Sequence, residues 1–362
     1  MKKMNRKLAL LLALCLLFTL ALGACSTSGP AAGTAPDASS DSGEKITIGV
    51  LFDFLSVESR VRQRDTMVAY AKEKGVELVF QNANGDEKVQ LQQGENLIAQ
   101  GVDAIAILAQ NAEACISLAK QSKEAGIPFI VTDRLIENTD IDYYVGYDNN
   151  SIGYTQANYV YDRCPEGNYV LLSGAPTDPN CKIYHDGWLD VLSEGISSGK
   201  VNIVLDEKCD NWDPNNALKY MENALTASDD AIDVVLCMND GLGIGVNQAL
   251  EAAGLQGTVL MTGLDGETAA FQRIAEGKQS MTILIDDTKT GKAIIDTCIA
   301  VAKGEQPATN GTVNNGYEDV PAVIVDLIPV DKDNLMDVIQ QGYVDYDTVF
   351  ENVPDADRPA RP

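Results

Sequence analysis

The stretch VDAIAILAQN (residues 102–111), a helix-like run and then AGIPFIVTD (residues 125–133) is answered further on by IDVVLCMND (residues 232–240), a second helix-like run and AGLQGTVLMTGLD (residues 253–265). Each copy is a short apolar, β-branched run with a polar end, a segment of helical spacing closed by Ala-Gly, and another apolar run that ends in Asp. That order predicts a strand-helix-strand unit in each copy. Parallel strands joined by a helix need both sheet faces covered, so each copy predicts its own doubly wound α/β lobe, with ligands gathering at the carboxyl ends of the strands. Asn111 and Asp133 occupy those ends in one copy, and Asn239, Asp240 and Asp265 occupy them in the other.

Outward from the echo, residues 45–52 and 76–81 read as strands, and residues 59–74 read as a helix stopped by Gly75. A helix is expected over 89–100 and the last strand of the first lobe over 142–147. Residues 169–172 and 201–205 open the second lobe as strands around a helix over about 187–194. A final strand over 281–285 leads into an apolar helix over about 288–303, expected to pack back on the first lobe. The chain then crosses between lobes more than once, which predicts a multi-strand hinge. The expected division is 45–148 for the amino-terminal lobe, completed by about 287–320, and 149–286 for the carboxyl-terminal lobe, completed by about 321–350.

The amino terminus carries a separate signal. Lys2, Lys3, Arg6 and Lys7 precede an apolar run over 8–22 and then Leu22-Gly23-Ala24-Cys25. The run has the length of a secretory leader and is short for a membrane-spanning helix. Small residues before Cys25 resemble a bacterial lipobox, so residues 1–24 are expected to be removed and Cys25 to carry the lipid anchor. Residues 26–43 are rich in Ser, Ala, Gly, Pro and Asp and hold no aromatic or large aliphatic side chain, so residues 25–44 are expected to be a disordered tether.

Composition narrows the function classes. With 27 Lys and Arg against 53 Asp and Glu, the formal net charge is −26, which repels a phosphate backbone and argues against a nucleic-acid partner. No Cys-x-x-Cys occurs and His185 is the one imidazole, so a metal site has no local support, and no cofactor is expected. No Gly-x-Ser-x-Gly is present and no nucleophile motif accompanies His185, so the chain is not read as an enzyme. Export permits disulfides, and Cys181 and Cys209 each follow a predicted strand of the second lobe. They form a bridge or remain buried thiols.

Two further features point to a polar small ligand. Asp133-Arg134 offers carboxylate acceptors beside a fork of donors, the pattern a vicinal diol requires. Trp212 lies in the polar stretch Asp210-Asn211-Trp212-Asp213-Pro214, where no core periodicity explains it; such a ring can cover the C–H face of a sugar.

These residues resemble the sugar-binding proteins of ABC transporters with the ribose-type periplasmic binding protein fold, and most closely their xylose-binding branch. The matching pieces are Gln81-Asn82-Ala83-Asn84-Gly85, Glu95-Asn96-Leu97-Ile98, Asp133-Arg134-Leu135-Ile136, Tyr147-Asp148-Asn149, the run ALKYMENALT at 217–226, and Asn314-Asn315-Gly316 with Asp319-Val320-Pro321. The resemblance implies sugar contacts at Asp133, Arg134, Asn180, Trp212, Asn239 and Asp265, with Asn111 and Asp240 close by. It implies a lipid-anchored, extracytoplasmic and monomeric receptor that captures a monosaccharide and delivers it to an ABC permease. A sugar sensor or chemoreceptor component is the alternative. Two departures leave the ligand open: Ser59-Arg60 stands where the xylose-binding branch has Arg-Trp, and Ile285 stands where the family places a polar or basic contact. Arg60 either lies against a sugar face, pairs with a carboxylate of a sugar acid, or turns to solvent and Glu58.

Overall fold

The computed structural model describes residues 45–362; the expected leader, Cys25 and the tether lie outside the described residues. Five strands build up the first sheet in turn: β1 (Thr47–Phe52), β2 (Glu77–Asn82), β3 (Ala104–Ile107), β4 (Phe129–Thr132) and β5 (Tyr143–Gly146). Between them run α1 (Glu58–Lys74), α2 (Glu87–Gln100) and α3 (Ile116–Ala125). The chain then enters a second, four-stranded sheet made of β6 (Gly167–Ser173), β7 (Val201–Lys208), β8 (Val234–Cys237) and β9 (Leu260–Met261). Its helices are α4 (Asn149–Tyr161), α5 (Pro179–Ser197), α6 (Pro214–Ala227), α7 (Asp240–Ala253) and α8 (Thr268–Ala275). β10 (Met281–Ile285) leads through α9 (Asp287–Ala302) back to the first sheet, where β11 (Gly311–Asn314) and β12 (Asp319–Ile324) are added, before β13 (Leu327–Asp331) returns to pair antiparallel with β10.

The first sheet has the order β11-β12-β5-β4-β3-β1-β2, parallel except at β11, and the second has the all-parallel order β7-β6-β8-β9. Strands β3, β4 and β8 are buried at every residue, the continuous apolar character expected of parallel strands covered on both faces. Neighbours on a strand alternate between two cores: Val50 packs with Met67, Ile294 and Cys298 beneath α1 and α9, whereas Leu51 packs with Leu97 and Leu118 beneath α2 and α3. The echo is therefore β3-α3-β4 and β8-α7-β9. Both of its helices end on a glycine at φ 71°, Gly126 and Gly254, because only a residue without Cβ takes the left-handed turn cheaply.

Three segments cross between the sheets, at 147–148, at Asp286 and at 325–326. Val325 N donates to Gly146 O (2.7 Å), tying two crossings together, and Tyr343 OH donates to Asp286 (2.6 Å) at the other. The third crossing falls later than the sequence suggests, since β12 stays in the first sheet to Ile324. Helix α5 begins at Pro179 rather than near 187: Asp178 caps it, Pro179 suits its first turn, and its polar start hides it from an apolar-periodicity reading. Among the described residues no helix is long and apolar enough to cross a membrane.

Candidate functional site

A cavity of about 540 Å³ lies between the two sheets, at the carboxyl ends of their strands, within the range of small-molecule sites. Arg60 and Asp133 line it from the first lobe, at the start of α1 and just after β4. The second lobe contributes Asn180 from the start of α5, Trp212 from the turn after β7, Asn239 from the cap of α7, and Asp265 from the loop before α8.

Asp133 is the hub of the first wall. Its Oδ1 accepts from Tyr147 OH (2.5 Å) and from Asn180 Nδ2 (3.0 Å), and its Oδ2 accepts from Arg60 Nη2. Its own carbonyl accepts from Tyr144 OH (2.9 Å), which helps hold Asp133 at φ 61°. Asp265, at the matching end of the second echo, sits at φ 101°. Non-glycine residues in this region cost about 1–3 kcal/mol each and persist where their surroundings fix them, so both aspartates are presented to the cavity under strain.

The two carboxyls differ in charge state. Burial opposes ionisation of Asp133, but Arg60 and Arg134 outweigh it and hold the carboxyl below the usual carboxylate range. Burial and then the neighbouring Glu267 push Asp265 well above that range, and its side chain has one donor among the described residues, Asn239 Nδ2 at 3.1 Å. Arg134 is held on three sides: Nε donates to Asp178, and Nη1 donates to Asp53 (2.7 Å) and to Ala109 O (2.8 Å). It is a strut between lobes with one edge on the cavity.

Of the three options left by the sequence for Arg60, the structure removes the turn to solvent and Glu58. The Arg60 side chain is buried and pairs with Asp133, while Glu58 pairs with Arg62 (2.9 Å) and accepts from Thr268 N and Oγ1 (2.9 and 2.7 Å) across the cleft. Trp212 lines the cavity with its six-membered ring set over Gly174, where a Cβ would lie 2.3 Å from the ring carbons, so the absence of a side chain at 174 seats the indole. Arg60 Nε, Asn180 Oδ1, Trp212 Nε1 and Glu267 Oε1 are buried with no partner among the described residues. Buried polar groups seldom stay unpaired, and here the first lobe leaves a donor free and the second lobe a donor and two acceptors.

Two expected contacts lie elsewhere. Asn111 donates to Glu87 (2.8 Å) and caps the turn at Ala114, outside the cavity, because β3 ends at Ile107 and the chain has already turned toward α3. Asp240 is fully buried behind the wall: Oδ2 accepts from Gly266 N (3.0 Å), Glu267 N (3.1 Å) and Thr282 Oγ1 (2.8 Å), and Oδ1 from Gln279 (2.9 Å). It braces the loop that carries Asp265. Cys181 and Cys209 are both buried free thiols, so no bridge joins them. No group of His, Cys, Asp and Glu among the described residues could hold a metal ion.

The sequence reading missed Tyr147, Asp178 and Glu267. Asp178 was legible as a cap before Pro179 and Tyr147 as part of a family motif; Glu267 gave no signal beyond its place two residues after Asp265.

The chain matches the model of the periplasmic binding protein domain over residues 48–306. It is 38% identical over 301 residues to the D-xylose-binding periplasmic protein of Escherichia coli, covering 83% of this chain and 91% of that protein. It is 30% identical over 344 residues to the multiple sugar-binding periplasmic receptor ChvE of Rhizobium radiobacter, covering 89% and 96%. Among solved structures, the carbohydrate transporter solute-binding protein of Chloroflexus aurantiacus in complex with D-glucose superposes with a TM-score of 0.78 at 27% identity, over 84% of this chain and 98% of that one.

Proposed function

The chain belongs to the periplasmic binding protein family, and from that membership we propose that it captures one neutral monosaccharide, a xylose-like pentose or a related sugar, between its two lobes and presents the closed form to an ABC permease. The family consists of solute-binding domains, and this chain is a binding protein rather than an enzyme. The observation that carries the ligand reading is the cavity between the lobes, walled by Trp212 and lined by polar side chains of both lobes. Arg60, Asp133, Arg134, Asn180, Trp212, Asn239 and Asp265 are the proposed contacts. A sugar acid fits less well: Arg60 is already paired with Asp133, and Arg134 with Asp53 and Asp178, so neither brings a free positive charge to a ligand carboxylate.

Calorimetry against pentoses, hexoses and uronates, with the emission of Trp212 and Trp188 as a second readout, tests this reading. One-to-one binding of a neutral sugar is expected, and no heat or spectral change across the panel sinks it. Lipid attachment at Cys25, an extracytoplasmic monomer and transport rather than sensing complete the proposal. Cys25→Ser should abolish acylation in mass spectra of the membrane fraction, and an unmodified amino terminus elsewhere in residues 26–43 of the parent would refute the anchor.

A further inference from the structure

Glu267 stands on the cavity wall two residues from Asp265, 7% exposed, with Oε1 buried and unpartnered. Its backbone is fixed, since its N–H donates to Asp240 Oδ2 at 3.1 Å. The groups around it come from every element that packs there: Asp265 on its own loop, Asp240 on α7, Glu58 and Arg62 on α1, and Arg273 on α8. Both arginines are engaged elsewhere, Arg62 with Glu58 and Asp287 and Arg273 with Gln279 and the Asp240 carbonyl. Among the described residues Glu267 makes no ion pair, and two carboxyls therefore share one wall of the cavity without a cation between them.

We propose that Glu267 is a further, specificity-determining ligand contact, whose uncharged carboxyl meets a neutral hydroxyl of the sugar beside Asp265 and whose charged form turns away a sugar acid. The inference rests on the reading of the cavity as a monosaccharide site. A protonated carboxyl both donates and accepts, which matches a hydroxyl, whereas two adjacent buried carboxylates repel. Burial, and then Asp240, push Glu267 up to about 7, so this exchange falls at neutral pH. A ligand that favours the protonated form binds more weakly as pH rises through that value.

The test measures the affinity of the tightest neutral sugar of the panel from pH 6 to pH 8 in the parent, Glu267→Gln and Glu267→Ala. The parent should weaken severalfold over that range. Glu267→Gln, a neutral isostere, should keep the acid-side affinity throughout, and Glu267→Ala should lose roughly tenfold at pH 6, the worth of one buried hydrogen bond. Asp287, also pushed to about 7 by burial, lies beyond Arg62, so flattening in Glu267→Gln is the discriminating readout. A parent that binds sugar while Glu267→Ala matches it at every pH overturns the inference alone, as does a slope that persists in Glu267→Gln. Absence of sugar binding by the parent overturns the monosaccharide reading and the inference with it.

Discussion

At the scale of single residues, Arg134 and Asp265 have opposite balances between folding and binding. Arg134 satisfies two buried carboxylates, Asp53 and Asp178, and Arg134→Ala leaves both unpaired, which should cost about 3–5 kcal/mol of stability. Its melting temperature should fall well below the parent's. Asp265 has a single side-chain donor, so Asp265→Ala should melt near the parent yet lose about 2–4 kcal/mol of sugar binding, roughly 30- to 1000-fold by calorimetry. Equal melting of the two variants would show that Arg134 is not a strut. The pH dependences also oppose each other. Asp133, held low, contributes stability that is present above its unfolded pKa and lost as pH falls through its folded one; Asp265, held high, contributes stability at acid pH that is lost as pH rises above its unfolded value.

At the scale of elements, helix pairs of the second lobe are set by backbone-to-backbone approach. A Cβ on Gly153 of α4 would lie 2.2 Å from Tyr184 O of α5, and one on Gly245 of α7 would lie 2.1 Å from Pro214 O of α6. Backbone cannot yield as a side chain can, so Gly153→Ala and Gly245→Ala should each push a helix pair apart and cost about 1–3 kcal/mol in urea denaturation. Gly245 belongs to the series Gly241, Gly243 and Gly245, whose spacing misses a dinucleotide loop; helix packing is the role the structure gives it. Gly126→Ala, where nothing lies within 4 Å, should cost only the strain of its left-handed turn, about 1 kcal/mol. A larger loss at 126 than at 153 or 245 would refute the packing argument.

At the scale of the whole molecule, closure is held by bonds that cross the cleft: Arg134 to Asp178, Asn180 to Asp133, and Thr268 to Glu58. Against them stand Asp265, with Asn239 as its one side-chain donor among the described residues, and Glu267, whose Oε1 has none; both carboxyls regain water when the lobes part. A sugar that supplies their missing hydrogen bonds shifts the equilibrium toward closure by its differential interaction with the two states. Small-angle scattering should therefore show the parent contracting when sugar is added. Asp265→Asn with Glu267→Gln, in which neither side chain can ionise, should be more compact than the parent without sugar at alkaline pH. An uncontracted parent at saturating sugar would exclude closure as the response to occupancy.

The echo, the glycine stops and the continuous apolar strands made the lobes legible, because they are local patterns that each element must satisfy whatever it packs against. The strand-end rule made Asp133, Asn239 and Asp265 legible for the same reason, since a parallel strand fixes where its carboxyl end lies. Which of two adjacent polar residues faces the cleft was not local. Asn239 and Asp240 differ by one position at the start of α7, and the phase of that helix against the second sheet sends one toward the cavity and the other into a buried brace. The partner of Arg60, the strut role of Arg134 and the exposure of Glu267 to the cavity likewise depend on groups dozens to hundreds of positions away in sequence. Hydrogen-bond pairing and charge state are set by distance in space, and only the tertiary fold brings those distances about.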